Sequence, residues 1–154
     1  MPTSVREQIL TAFFGLFTSL SEFPTKIRNP NYVFEPSDLP ALAQFDGGAG
    51  PLGGDDVSSG ISGVMRMALR VNVTVGVRSA TLEALGPDIS AARASVISAV
   101  GADPTLGGLV NYIRYDGEED PILLVEPGAP PAGEVTINFA IIHTEAELDP
   151  YQLA

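Results

Sequence analysis

The sequence predicts an α+β fold, a single domain over residues 1–154 in which a mainly antiparallel β-sheet has helices packed on one face. Residues 65–77 alternate apolar and polar side chains with a period of two, which is typical of a strand buried on one side. Two other stretches, residues 4–20 and 89–100, carry apolar residues at helical spacing. The order of these patterns is helix, strands, helices and strands, with no repeat or domain linker.

Composition excludes several classes of function. The chain has 154 residues and no cysteine, which excludes disulfides, thiolate zinc sites and cysteine nucleophiles. Its formal net charge is −11, and such a surface repels phosphate backbones, so we expect neither sequence-independent nor specific nucleic-acid binding. The apolar run at residues 9–20 is well short of the roughly 20 residues needed to cross a bilayer, so we expect a soluble protein without membrane contact.

A capping box begins the first predicted helix. Ser4 can accept a hydrogen bond from a free helix amide, and Glu7 can reach back to the cap. The apolar residues that follow at three- and four-residue steps are Ile9, Phe13, Leu16, Phe17 and Leu20. We therefore expect a helix with one buried side that runs to about Leu20 and is ended by Pro24.

Two short strands and a long loop are expected next. Residues 27–34 and 39–45 read as strands, and Pro30 and Pro36 place at least one of them at a sheet edge. Residues 46–63 are rich in glycine, aspartate and serine and predict a flexible loop inside the domain. Loops of this length are usually functional or disordered.

The long strand at residues 65–77 carries the strongest pattern of the sequence. All its odd-numbered positions are apolar, whereas Arg66, Arg70 and Arg78 lie in phase on the more polar side. These arginines can pair with carboxylates of their own subunit, which contributes little stability. They can equally meet an acidic face of a neighbouring subunit and set its register, because a guanidinium pairs with a carboxylate through two parallel hydrogen bonds. Both interpretations remain open.

The second half is expected to add two helices and three strands. Asp88 can cap a helix at residues 89–100 that Gly101 ends. Asp103 followed by Pro104 is typical of the start of a short third helix. The expected strands are residues 111–115, 122–125 and 135–144.

The residues that could bind a nucleotide or act as a base lack suitable neighbours. Gly48, Gly50 and Gly53 match the dinucleotide pattern G-x-G-x-x-G, but no helix pattern follows to hold the phosphates. His143 is the only histidine, and no nucleophile near it in the sequence completes a catalytic pair. We interpret the glycines as loop residues and His143 as a partly buried structural residue.

Two acidic clusters leave one enzymatic alternative open. Asp55 with Asp56, and Glu118 with Glu119 and Asp120, could bind Mg²⁺ or Ca²⁺ through oxygen, but neither has the spacing of a calcium loop. We favour solvated loop charge, with weak cation binding as an open possibility. We expect no cofactor and no catalysis, and a small metal-dependent enzyme is the alternative.

Three segments of the sequence together carry a family resemblance. Residues 6–16 have the form R-E-x-I-L-x-A-x-x-x-L, and residues 102–110 read A-D-P-T-L-G-G-L-V. The last predicted strand is followed by a D-P-Y tail, Asp149, Pro150 and Tyr151. The order and spacing of these segments cover nearly the whole chain, and together they resemble the tail terminator proteins of long-tailed phages, the family that includes the minor tail protein U type.

The resemblance implies a structural virion protein made in the host cytoplasm and placed at the neck of the particle. In that family six copies form a ring on the last ring of the major tail tube protein, at its head-proximal end. The ring stops tube polymerisation and offers a surface to the head-side connector, and DNA passes through it. Besides the three arginines, the subunit contacts are expected to include Asp103, Pro104, Leu106, Gly107, Gly108, Asp149, Pro150 and Tyr151. Alternative interpretations are another ring-forming neck or head-completion protein, and an adaptor domain unrelated to phages.

Overall fold

A computed structural model of the protein describes residues 2–31, 34–52, 64–124, 126–146 and 149–153. These residues form an α+β domain, as predicted from the sequence. The helices are α1 (Val5–Gly15) and α2 (Leu82–Ala102), with a 3₁₀ turn at Pro36–Asp38. The strands are β1 (Thr25–Arg28), β2 (Ala41–Pro51), β3 (Val64–Arg78), β4 (Tyr112–Glu118), β5 (Ile122–Leu124), β6 (Ala132–Ala146) and β7 (Asp149–Leu153).

All seven of these strands belong to one sheet with the order β1-β2-β3-β6-β4. β5 and β7 also pair with β6, on the side that β4 occupies further along. Only the β1–β2 pair is parallel. β3 and β6 pair along their whole length, from Val64 opposite Ala146 to Arg78 opposite Ala132. The position of β1 at the end of the sheet confirms that one of the two early strands is an edge strand.

Both helices pack on the same face of the sheet. The odd-numbered residues of β3 from position 67 onwards are buried there, as the period-two pattern predicts. They meet the inward residues of α1 and α2 in one hydrophobic core. Phe13 of α1 packs edge-on against Phe17 and against Phe139 of β6, with ring centroids 5.2 Å and 5.6 Å apart. Burying such a side chain fully contributes about 1.5–3 kcal/mol, which makes this contact a main attachment of α1 to the sheet.

The opposite face carries the even-numbered residues of β3 and β6, and no described helix covers it, so we call it the helix-free face. At one end Phe34 and Leu39 pack over the small residues Ala41 and Ala43 of β2. Further along, Ala140 of β6 is buried between Arg70 of β3 and Arg114 of β4, and Ile142 is buried between Ala68 and Tyr112. The rest of this face is mostly polar or charged, apart from Ala68 and the partly exposed Phe45.

Helix α1 is shorter than predicted. The Ser4 cap is present, because Ser4 Oγ accepts from Glu7 N at 3.2 Å. The helix ends at Gly15 and not near Leu20, and single turns such as Phe17 N to Phe14 O, 3.1 Å, follow it. Glycine is a poor helix former, and the chain can tighten at this point while Phe17 stays in the core.

The expected loop at 46–63 begins later than predicted. Residues 46–51 belong to β2, which pairs with β3 as far as Pro51 opposite Met67. The register shifts between Asp46 and Ala49, so glycine here serves a β-bulge. Residues 53–63 of the expected loop lie outside the described residues.

Helix α2 begins earlier than predicted, and the expected third helix is absent from residues 103–110. Thr81 caps α2, since its Oγ1 accepts from Ala84 N, whereas Asp88 accepts from Ser79 Oγ at 2.5 Å. Pro87 lies inside the helix and not before it. Buried Leu85 and Ile89 hold the turns on both sides of the proline, so tertiary packing outweighs its helix-breaking tendency. Among the described residues, no helix has both the length and the apolar composition needed to span a bilayer.

Candidate docking surface

The predicted row of arginines lies on the helix-free face of β3. Arg70 and Arg78 are exposed, whereas Arg66 is half-buried and has an interaction partner. Within the part of the chain that the structure describes, Arg70 and Arg78 make no side-chain hydrogen bond or ion pair. Of the two interpretations left open by the sequence, pairing within the subunit therefore finds no support at these two positions, and their guanidinium groups face solvent.

Strand β4 continues this surface at the edge of the sheet. Arg114 lies beside Ala140 on β6, opposite the side where Arg70 flanks the same residue. Its Nε donates to Asp116 Oδ1 at 2.6 Å, and this hydrogen bond raises the pKa of Arg114, which stays charged. Tyr112 is 40% exposed. In the described residues β4 pairs with β6 alone, so the backbone groups of its outer edge are available to another chain.

The acidic cluster at residues 118–120 is partly used inside the subunit. Glu118 forms a close ion pair with Arg93 of α2 and accepts a hydrogen bond from Tyr115 Oη at 3.0 Å. Arg93 also lies over the Tyr115 ring, 5.8 Å from its centroid. The described residues contain no group of three His, Cys, Asp or Glu side chains that could hold a metal ion, and Asp55 and Asp56 lie outside them.

His143 and the glycines of β2 occupy structural positions. His143 is 1% exposed, with Nε2 3.2 Å from Glu145 Oε2 and Nδ1 3.4 Å from the Ile141 carbonyl. Its burial agrees with the structural role expected for it. Gly48 and Gly50 lie within β2, where they cannot lead into the helix N-terminus that a dinucleotide site requires.

The segment from Asp103 to Gly108 is a compact set of turns after α2. Asp103 Oδ1 accepts from Gly107 N at 2.9 Å, and Thr105 Oγ1 accepts from Gly108 N at 3.2 Å. Gly107 and Gly108 have φ of 68° and 92°, and Leu106 has φ of 49°. A helix cannot continue through these left-handed conformations, which explains why the predicted third helix does not form.

Only part of this segment can reach a partner. Pro104, Gly107 and Gly108 are exposed, and Asp103 is half-buried. Leu106, which we expected among the contact residues, is 8% exposed and belongs to the core. Its side chain anchors the turn from inside, so it supports the exposed residues and is not itself a contact in this conformation.

The tail segment that contains Asp149, Pro150 and Tyr151 forms a strand. These residues belong to β7, which pairs with the end of β6 and passes close to α1. A strand with a single partner tolerates proline, because the missing N–H can face the unpaired side. The side chains of this strand lie outside what the structure describes.

Sequence reasoning missed a pocket of about 370 Å³ at the covered end of the helix-free face. Its lining includes Phe34, Phe45, Thr74 and Glu134. Burial raises the pKa of Glu134. The sequence feature that could have placed Glu134 on this face is its even position, in phase with the outward residues of β6. The strand predicted from the sequence began at residue 135, one residue too late to include it.

A polar cluster between α1 and the first strands was also missed. Arg28 Nη1 lies 2.6 Å from Glu7 Oε1, and Arg28 Nη2 lies 2.8 Å from Asp46 Oδ2. Asp46 also accepts from Asn29 Nδ2 at 2.7 Å and from Gln44 Nε2 at 3.0 Å. Because Glu7 matched a capping box, the sequence offered no reason to assign it to an ion pair 21 residues away.

No protein-family model matches the chain, and no curated protein matches it either.

Proposed function

We propose that the protein is a ring-forming tail terminator subunit, a structural virion protein that caps the head-proximal end of a phage tail tube. The segment resemblance suggests this role. The observation that carries the proposal is that Arg70 and Arg78 are exposed and unpaired, within the described part of the chain, on a sheet face that no described helix covers. A surface of this kind supports docking to protein subunits, with no bond made or broken.

A closed ring requires two different complementary patches on each subunit. Arg70 and Arg78 supply a basic patch on a chain whose net charge is −11. Glu119 and Asp120 are exposed in the turn after β4 and supply an acidic patch of the kind an arginine pairs with. We propose that the basic patch of one subunit meets the acidic patch of the next and sets the register of the ring.

The β4 edge provides a further contact of another kind. Its unpaired backbone groups can add a strand from a neighbouring subunit, and Tyr112 supplies a partly exposed aromatic anchor beside them. On this proposal the tube protein and the head-side connector contact the ring without a cofactor.

Electron microscopy of the purified protein mixed with tail tube protein tests the proposal. We expect rings of six subunits at one end of each tube and an arrest of tube growth. Particles that lack the protein should have tails of uncontrolled length. Tails of normal length would reject the terminator role in favour of another neck protein, and binding at the opposite tip would reject both.

The basic patch is tested by the double substitution Arg70→Gln and Arg78→Gln. We expect the variant to fold with an unchanged melting temperature, because neither side chain has a described partner to lose, but to form few rings. Lys26→Gln on the edge strand β1 removes a charge of the same sign two strands away from the patch and should leave ring formation intact. Normal rings from the double variant would exclude this patch as the contact.

A further inference from the structure

The pocket at the covered end of the helix-free face has apolar walls and one acidic group. Phe34 and Phe45 form its aromatic sides, and Ala43 of β2 and Thr74 of β3 line it as well. Pro30 and Asn31, in the segment after β1, also line it. Phe34 is buried, whereas Phe45 remains 36% exposed, so one aromatic ring is open to an incoming group.

Glu134 is the acidic group of this pocket, and it lacks a counter-charge. Within the described residues its carboxylate makes no hydrogen bond and no ion pair. Burial raises its pKa, with no opposing contribution from a cation. The cross-strand partner of Glu134 on β3 is Gly76, and Arg78 lies two positions further along that strand. Arg78 nevertheless forms no ion pair with Glu134. A half-buried carboxylate without a cation is a cost to the free subunit.

A cationic side chain would complete this arrangement. A guanidinium group can pair with the carboxylate through two hydrogen bonds and lie flat against an aromatic ring. A hard metal ion usually takes six or more oxygen ligands, whereas the described lining contributes a single carboxylate, Glu134, with the Thr74 hydroxyl and the Asn31 amide. We propose that this cavity, the Glu134 pocket, is a binding site for an arginine side chain presented by a partner protein.

The location of the pocket favours a protein-borne arginine. It opens on the face that the helices leave free, so a second protein can approach without moving any described helix. The volume of about 370 Å³ accommodates one long side chain. The net charge of the chain, −11, attracts basic partners to the molecule as a whole. The inference rests on the pocket alone and does not depend on the terminator role.

The chemistry is tested on the ¹⁵N-labelled full chain with N-acetyl-arginine amide as the probe. Nuclear magnetic resonance should show saturable shifts of backbone amides around the pocket, including those of Ala43 and Thr74. N-acetyl-citrulline amide has nearly the same shape without the charge and should bind at least about tenfold more weakly. Equal binding of the two probes, or shifts confined to other parts of the chain, would overturn the proposal.

Variants separate the carboxylate from the rest of the surface. Glu134→Gln keeps the shape of the side chain and should lower the affinity for the probe by about tenfold or more. The control, Glu83→Gln on α2, removes an exposed charge and should leave the affinity unchanged. Phe45→Leu keeps an apolar wall and should weaken binding a few-fold through the loss of the ring face. Unchanged affinity in Glu134→Gln contradicts the assignment.

A further measurement identifies the source of the arginine. Sedimentation of the wild-type chain and of Glu134→Gln tests self-association through the pocket. Self-association that Glu134→Gln weakens would identify a second copy as the occupant and would also contradict a separate partner.

Discussion

At the scale of the residue, Arg28 holds two carboxylates from different elements. Its hydrogen bond lowers the pKa of Glu7. Burial opposes ionisation of Asp46, but hydrogen bonds from Arg28, Gln44 and Asn29 outweigh it and lower the pKa of that carboxyl as well. Both carboxylates therefore stabilise the folded state while they are ionised.

The substitution Arg28→Met keeps the apolar stem and removes the charge. We expect the free energy of unfolding at neutral pH to fall by about 1–3 kcal/mol, because Asp46, whose side chain is only 10% exposed in the wild type, loses a charged partner. Lys26→Met on the same strand is the control and should change little, since Lys26 has no described partner. Chemical denaturation measures both, and equal losses would show that the ion pairs contribute nothing specific.

The same cluster sets part of the pH dependence. A carboxyl group with a lowered folded pKa contributes stability that is present above its unfolded pKa of about 4 and is lost as the pH falls through the folded value. The wild-type protein should therefore lose stability below about pH 4, and Arg28→Met should lose less over that interval. Thermal unfolding across this pH range checks the difference, and parallel curves would contradict it.

Ionisation of Glu134 has the opposite effect on the pH dependence of stability. Burial raises its folded pKa, so its ionisation destabilises the free subunit as the pH rises through that value, and the effect is absent below the unfolded pKa of about 4.3. At neutral pH, Glu134→Gln should raise the free energy of unfolding by up to about 0.5 kcal/mol, which is seen as a slightly higher melting temperature. At low pH the melting temperatures of the variant and the wild type should be the same. A lower melting temperature at neutral pH would indicate that Glu134 has a stabilising partner.

At the scale of the element, the bulge of β2 depends on one glycine. A Cβ added at Gly47 would lie 2.7 Å from the carbonyl oxygen of Arg70, a backbone atom that cannot move aside alone. Arg6 of α1 also donates to the Gly47 carbonyl at 2.7 Å, so helix, bulge and central strand meet here. The close approach places β2 against the part of β3 that carries Arg70.

The neighbouring glycines offer a matched comparison. Gly47→Ala should lower the free energy of unfolding by about 1–3 kcal/mol through the backbone clash. Gly48→Ala should be nearly neutral, because no atom lies within 4 Å of an added Cβ there. Urea denaturation of both variants checks this, and a similar cost at both positions would point to strand flexibility instead of the clash.

At the scale of the whole molecule, a single core joins both helices to the sheet and to the turn after α2. Leu106 belongs to that core although it lies in an irregular segment. Leu106→Asp should unfold the protein or lower its stability by several kcal/mol, because it places a carboxylate in an apolar site. Leu82→Asp introduces the same charge at a position that is 64% exposed and should be tolerated. Circular dichroism of the two variants distinguishes burial from charge alone.

The sequence alone predicted the features that follow from local periodicity. The alternation around Val71 required a long strand with one buried side, because successive side chains of a strand point to opposite faces. The Ser4 cap and the phase of Arg70 follow from the same local rules. They sufficed for the fold class and for the candidate basic patch.

Only the tertiary structure decided where elements end and which distant residues meet. Pro87 and the glycines at 47–50 favour breaks locally, but packing against the core and pairing with β3 keep the helix and the strand intact. Leu106 proved to be a core residue, and Glu134 came to line the same pocket as Phe45. Contacts of this kind depend on the pairing of strands far apart in the chain, and local sequence patterns do not carry that information.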